Sequence, residues 1–244
     1  MKLSHVKLDT TLNFDESNRI LSWIIQDPQT YYAFIQELLK QIQGETGQFV
    51  LSNNDKNIKI DADVQPVVGP FDFSLNSKKI TAMISKNLLK LAVNGEYSER
   101  FKKLSETFKS YLDEVILDSD LPVEIDELRE ENVFKVASIK SKESTSFYEN
   151  LINYISLILN LARPKLLILI DITRYIGKEQ MNNFLNFLMY EDVNVLFIDL
   201  LTHDGSCSYT KTYFLDLDNC EFEYTSCTFN REELFTWLNK CVCL

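Results

Sequence analysis

Residues 3–14 alternate polar and apolar side chains, the period-two pattern of a strand with one buried face, and residues 18–25 read as a second strand. Asp27-Pro28 then predicts a helix start, because Asp caps free backbone amides and Pro is tolerated at the first helical position. That helix is expected to run to about Gln43, where Gly44 ends it. Short strands are expected over 48–52, 57–61 and 64–68, the first two separated by the turn residues Asn53-Asn54-Asp55. Beyond Gly69-Pro70 the pattern changes to two long helices, about 76–93 and 97–117, punctuated by Asn94-Gly95. A third helix is expected over 143–162.

It leads into KLLILID, residues 165–171, an unbroken apolar run of the kind found in strands covered on both faces. A helix over 177–190 and a second such strand, Val195–Asp199, complete a βαβ unit, whose crossover predicts parallel strands with helices on the sheet faces. Residues 211–216 and 220–224 resemble a hairpin around Asp218-Asn219. A final helix is expected from Asn230, with Glu233 three residues on. The fold class is therefore α/β, with a mixed or parallel sheet. An α/β head is expected from residues 1–75 and 163–244, and a helical leg from 76–162.

Composition narrows the picture. The chain has 244 residues, 45% of them hydrophobic, and only six glycines and five prolines, which describes a dense globular protein rather than a linker array. No apolar run approaches the roughly 20 residues of a membrane span, and the start lacks the basic-then-apolar form of a secretory signal. A soluble, cytoplasmic protein with no membrane association is expected. Five cysteines, Cys207, Cys220, Cys227, Cys241 and Cys243, without a CxxC pair, point to reduced thiols. His203 with Cys207, Cys220 and Cys227 forms a dispersed set that lacks the paired spacing of structural zinc sites.

The net charge of −11 argues against nucleic acid until its distribution is considered: residues 78–109 carry eight basic and three acidic residues. Lys79, Lys86 and Lys90 are spaced by seven and four, which sets them within about 40° around a 3.6-residue helix. Ile80, Ile84, Leu88 and Leu91 form the neighbouring apolar face. The stripe is open to two readings, an ordinary solvated face or a phosphate-binding one. On the second helix, Glu99 with Lys103 and Lys102 with Glu106 have the spacing of surface ion pairs, which leaves Arg100 and Lys109 as further phosphate candidates. Residues 113–131 then hold nine acids, among them Asp118, Asp120, Glu124, Asp126 and Glu127, and one base, Arg129. On a non-helical connection these carboxylates are either a solvated linker or a set of hard oxygen donors suited to calcium.

Enzymatic motifs are sparse. Asp171 ends an apolar strand as the magnesium-orienting Asp of P-loop NTPases does, yet no GxxxxGK[ST] occurs to cradle a phosphate. The two histidines, His5 and His203, have no nucleophile motif beside them.

Three ordered segments carry a family resemblance: PVVGPFDFSLNSKKITAMISKNLLK, the acidic LDSDLPVEIDEL, and RPKLLILIDITRYIGKEQMNNFLNFL followed by VNVLFIDL. They resemble the Csn adaptation proteins of type II-A CRISPR systems. The resemblance implies a P-loop-NTPase-like head with a degenerate nucleotide site and an α-helical leg. It implies no enzymatic activity but a homotetrameric ring whose lysine-lined hole takes up double-stranded DNA ends, stabilised by calcium. It also implies a role beside the CRISPR integrase and effector nuclease in spacer acquisition and antiviral defence. The calcium-binding acids would correspond to Asp118, Asp120, Glu124, Asp126 and Glu127, with Pro122 standing where an acid is expected. The competing readings are a metal-dependent nuclease or degenerate NTPase, and a protein adaptor whose acidic surface docks a basic partner such as an integrase.

Overall fold

The computed structural model describes residues 1–54, 56–70, 73–119, 122–126, 128–137, 139–201 and 211–224. The chain divides into two compact units, Met1–Phe73 with Ser146–Leu244, and Ser74–Thr145. The division leaves residues 146–162 with the larger unit rather than with the helices before them.

The larger unit is built on a six-stranded sheet. Its strands are β3 (Ile20–Ile25), β6 (Val64–Val68), β7 (Leu166–Ile170), β8 (Asn194–Leu200), β9 (Lys211–Leu215) and β10 (Glu221–Tyr224), in the order β10-β9-β3-β8-β7-β6. All neighbours are parallel except β9 and β10, the expected hairpin. β3 lies at the centre, with Trp23 opposite Ile198 of β8 and Tyr213 of β9. A mixed α/β fold is thus present. A second sheet of four antiparallel strands, β2-β1-β4-β5, is formed by β1 (Lys2–His5), β2 (Leu12–Asn13), β4 (Phe49–Asn53) and β5 (Lys56–Ile58).

Alternation along the strands divides the core. Leu21, Trp23, Ile25, Leu166, Ile168, Ile170, Leu196 and Ile198 share one cluster with Phe34 and Leu38 of α1 (Pro28–Ile42) and with Leu3, Phe49 and Leu51 of the small sheet. Intervening residues point the other way. There Phe197 meets Phe184 of α7 (Lys178–Tyr190) edge to face at 6.1 Å. Leu151, Ile155 and Ile158 of α6 (Phe147–Leu161) are also fully buried. His5 is buried among Phe34 and Phe49, its Nδ1 accepting from the Lys7 amide, and burial holds its pKa below the ordinary value. It serves packing.

Three local expectations differ from what is observed. Residues 3–14 form two strands, because the Leu8 amide closes a turn on the His5 carbonyl and the Glu221 carboxylate holds the Asp9 and Thr10 amides at 2.8 and 2.6 Å. The strand expected over 57–61 stops at Ile58, and Ile60–Asp63 forms a single helical turn, α2. The first long helix expected at 76–93 is α3 (Lys78–Ala92), capped by Ser77 through the Ile80 amide. The second, α4 (Glu96–Ser119), runs past its expected end, so Asp118 lies on a helix and not on a connection. A further short helix, α5 (Glu130–Val136), follows it and packs with α3. Within the smaller unit, the Asn76 amide bonds Ser141 from both sides, Oδ1 accepting the Ser141 amide at 2.8 Å and Nδ2 donating to its carbonyl at 3.3 Å. Its two ends are thereby tied. The helix expected from Asn230 lies outside the described residues.

Candidate functional site

The carboxyl ends of parallel strands are where open α/β sheets take ligands, and here the chain's own side chains fill that position. β3 passes into α1 through Gln26 and Asp27 alone. The Asp27 carboxylate accepts from the Thr30 amide at 2.8 Å and the Thr30 hydroxyl at 2.7 Å, bonds that lower its pKa. One of the orphan amides at the helix start is thus already satisfied, and a negative charge stands where an anion would bind.

One helical turn on, the Tyr31 hydroxyl donates to Asp171 Oδ2 at 2.8 Å across 140 residues of sequence. Asp171 follows β7 at φ 53°, a conformation that non-glycine residues seldom adopt. Arg174 approaches its other oxygen at 3.3 Å as an ion pair, without the geometry of a hydrogen bond. Burial and the Asp171 bond push the Tyr31 phenol pKa upward. Asp199, near the end of β8, is 8% exposed and accepts from the Thr173 hydroxyl at 2.8 Å. Burial, reinforced by the charge of Asp171, raises its pKa to about 7, while the Thr173 bond acts the other way. Gly69, leaving β6, passes so close to this turn that a Cβ would lie 2.9 Å from Ile172 Cδ1 and 3.1 Å from the Asp171 carbonyl oxygen. The expectation that Asp171 ends its strand holds. Its partners Tyr31 and Arg174, and the Thr173 bond to Asp199, carry no spacing signal, although Thr173 and Arg174 lie only two and three residues after Asp171 in sequence.

The candidate phosphate-binding residues lie on the smaller unit. Lys79, Lys86 and Lys90 are exposed on α3, and none makes an ion pair among the described residues. Their apolar neighbours are covered unevenly: Ile80 is buried, Ile84 half-buried, and Leu88 and Leu91 are 37% and 58% exposed. On α4 the expected Glu99–Lys103 and Lys102–Glu106 pairs are not formed. Arg100, expected to lack a partner, instead approaches Glu96 at 3.8 Å one turn earlier. The two residues are so exposed that little enthalpy selects one helical partner over another. Lys109 is exposed and unpaired among the described residues.

Of the acids proposed to hold calcium, Asp118, Glu124 and Asp126 are exposed, and Asp120 and Glu127 lie outside the described residues. Among the described residues no three of His, Cys, Asp or Glu converge to hold a metal. In donor chemistry alone, the acidic run offers the carboxylate oxygens that calcium prefers. Cys220 is an exposed free thiol, and His203 and the other cysteines lie outside the described residues. No described helix is long and apolar enough to cross a membrane.

Comparison with known proteins adds identity to this geometry. Among solved structures, the chain is similar to cbiO1 of Clostridium perfringens, part of the ABC transporter complex cbiONQ, at 14% identity and a TM-score of 0.47, covering 94% of this chain and 86% of that one. It is similar at the same identity, with a TM-score of 0.45, to the ATP-binding cassette MJ0796 bound to ADP and phosphate, covering 93% and 99% of the two chains. Among curated proteins it is 23% identical over 177 residues to the CRISPR-associated protein Csn2 of Enterococcus faecalis, covering 72% of this chain and 80% of that protein. The family model described as CRISPR-associated protein (Cas_Csn2) matches residues 41–219, a span that takes in both units and the strands β4 to β9. The chain belongs to that CRISPR-associated family.

Proposed function

We propose that this CRISPR-associated protein is a non-enzymatic, ring-forming binder of double-stranded DNA ends that acts in spacer acquisition, as a cytoplasmic homotetramer working beside the CRISPR integrase and effector nuclease. The observation that carries the DNA reading is the α3 stripe. Lys79, Lys86 and Lys90 are exposed on one side of the helix, with no acid engaging them among the described residues. Phosphate contacts of this kind are independent of sequence and suit a protein that takes any duplex end. A ring concentrates the stripe, since each copy adds three lysines to one channel while the acidic remainder faces elsewhere. Arg100 and Lys109 extend the basic surface.

The head is P-loop-like with a degenerate nucleotide site. In support, two residues join β3 to α1, too few for a glycine loop, and Asp27 offers a carboxylate where a phosphate would sit.

Calcium is held by the acids of residues 118–127, Asp118, Asp120, Glu124, Asp126 and Glu127, and stabilises the ring by neutralising their mutual repulsion. Light scattering of the protein with calcium, then with excess chelator, tests this part: the mass is expected to fall on chelation. A tetramer unchanged in chelator contradicts the role of the ion.

A further inference from the structure

The amino ends of the central strands, at the other end of the sheet from Asp27 and Asp171, close around a cavity of about 580 Å³. All of its walls belong to the larger unit. Arg19, Lys165 and Asn194 stand at the starts of β3, β7 and β8, Asn160 lies in the last turn of α6, and Glu191 and Asp192 follow α7. Phe14, Ile58, Leu159 and Pro164 give the cavity an apolar side, Phe14 being 3% exposed. That size and lining suit a small ligand or a single inserted side chain.

Charge decides which kind. Most ionic groups of the wall are engaged by the protein itself: Arg19 pairs with Asp192, Lys165 with Asp63 at 3.2 Å, the Met1 ammonium donates to the Phe14 carbonyl at 2.8 Å, and Asp15 accepts from the Ser17 and Asn18 amides. The side chains of Glu16, Glu191 and Arg163 have no partner among the described residues. Counting Asp63, five carboxylates face four cations, and the carboxyl ends of α6 and α7 each add about half a negative charge. Both ends also present backbone carbonyls that no helical amide meets. Acceptors therefore outnumber donors. The Asn160 and Asn194 Nδ2 groups already donate to the Ser156 and Lys165 carbonyls, which leaves their amide oxygens to accept.

We propose that this cavity binds an organic cation, an ammonium or guanidinium group on an aliphatic stem, as carried by a free polyamine or by a lysine or arginine side chain of a partner polypeptide. The stem lies along the apolar side, and Glu16 and Glu191 take the charged head. The larger unit carries 13 Lys and Arg against 23 Asp and Glu, a field that draws cations towards it. Arg163 opposes the ligand. It stands just past α6 at φ 50°, a position that favours glycine, and its exposed guanidinium gives the test its sign. The site is independent of the DNA and ring readings.

Isothermal titration of the full chain at low salt with spermidine, and separately with an end-blocked Gly-Arg-Gly peptide, tests it. Glu16→Gln and Glu191→Gln are each expected to weaken binding about threefold and together about tenfold, whereas Arg163→Ala is expected to tighten it about threefold. The control pair Glu45→Gln, Glu179→Gln makes the same change in net charge on exposed acids outside the cavity and is expected to leave binding unchanged. Saturable binding of spermidine alone assigns the site to a free polyamine, of the peptide alone to a partner's side chain, and of both to the chemistry they share. Each supports the site if it weakens in the Glu16 and Glu191 variants. The proposal is overturned if neither probe binds, if the control pair loses as much as the cavity pair, or if the wild type takes up inorganic phosphate and Arg163→Ala abolishes that uptake.

Discussion

Replacing Lys79, Lys86 and Lys90 together by Glu is expected to weaken binding to a linear duplex at least about 100-fold at low salt, and to flatten the salt dependence by about one in log K per log salt for each lysine that touches a phosphate. The size of the effect comes from repetition: a ring presents the three-residue stripe once per subunit, and reversal replaces release of counterions by repulsion. Little change in stability is expected, since all three side chains are exposed and none pairs with an acid among the described residues. The control is a second triple variant, Lys7, Lys40 and Lys56 to Glu, which makes the same change in net charge from exposed lysines of the larger unit. Equal losses in the two variants, in an electrophoretic mobility or anisotropy titration, would mean that overall charge governs binding and that α3 is not the DNA surface.

Asp199→Asn is expected to stabilise the protein fully at pH 8 and only in part at pH 5. The folded protein holds the Asp199 proton to about pH 7, well above the ordinary carboxyl value of 3.8, because burial disfavours the charged form and Asp171 adds repulsion. Between those values the native state binds a proton that the unfolded chain has released, so stability falls as pH rises from about 4 to 7, and above 7 the full cost remains. At 1.36 kcal/mol for each tenfold change in proton affinity, the cost is at most about 4 kcal/mol. Asn keeps an oxygen to accept the Thr173 hydroxyl while removing the charge. Thermal unfolding should then move upward by several degrees at pH 8 and by roughly a third as much at pH 5, given about 2–4 °C per kcal/mol at this chain length. An equal shift at both pH values, or a loss of stability at pH 8, would mean that Asp199 is ionised without penalty in the folded state.

The two experiments address surfaces that differed in how far they could be read from sequence. The α3 stripe was legible because seven-and-four spacing within one helix fixes side-chain direction without tertiary information. The Asp27-Pro28 helix start and the buried runs of β7 and β8 were legible for the same reason, each being a local pattern. What sequence did not reveal is adjacency across the chain. The run Ile20–Ile25 announces burial, but nothing in it says that β3 lies between β8 and β9, whose residues are more than 170 positions away. The Tyr31–Asp171 bond joins residues 140 apart and has no motif. At shorter range, Arg100, expected to lack a helical partner, approaches Glu96 four residues earlier, a pairing that spacing also allowed, and α4 carried Asp118 out of the connection assigned to it. Both outcomes depend on weak, exposed interactions, where local preference decides little.

The cluster at the sheet end also limits what the fold can do. Asp27 caps α1 and Tyr31 bonds Asp171, so the helix start that would meet a phosphate is engaged by the protein itself. The DNA contacts proposed above fall instead on the smaller unit, where the basic residues of α3 are exposed.

The central claim, capture of DNA ends by a ring, is tested most directly by comparing one duplex sequence in two forms, linear and covalently closed circular, at equal concentration in calcium. Binding to the linear form with little or none to the circle is the expected result, because a closed ring admits duplex only through an end. Equal affinity for the circle, with the protein assembled, would contradict it.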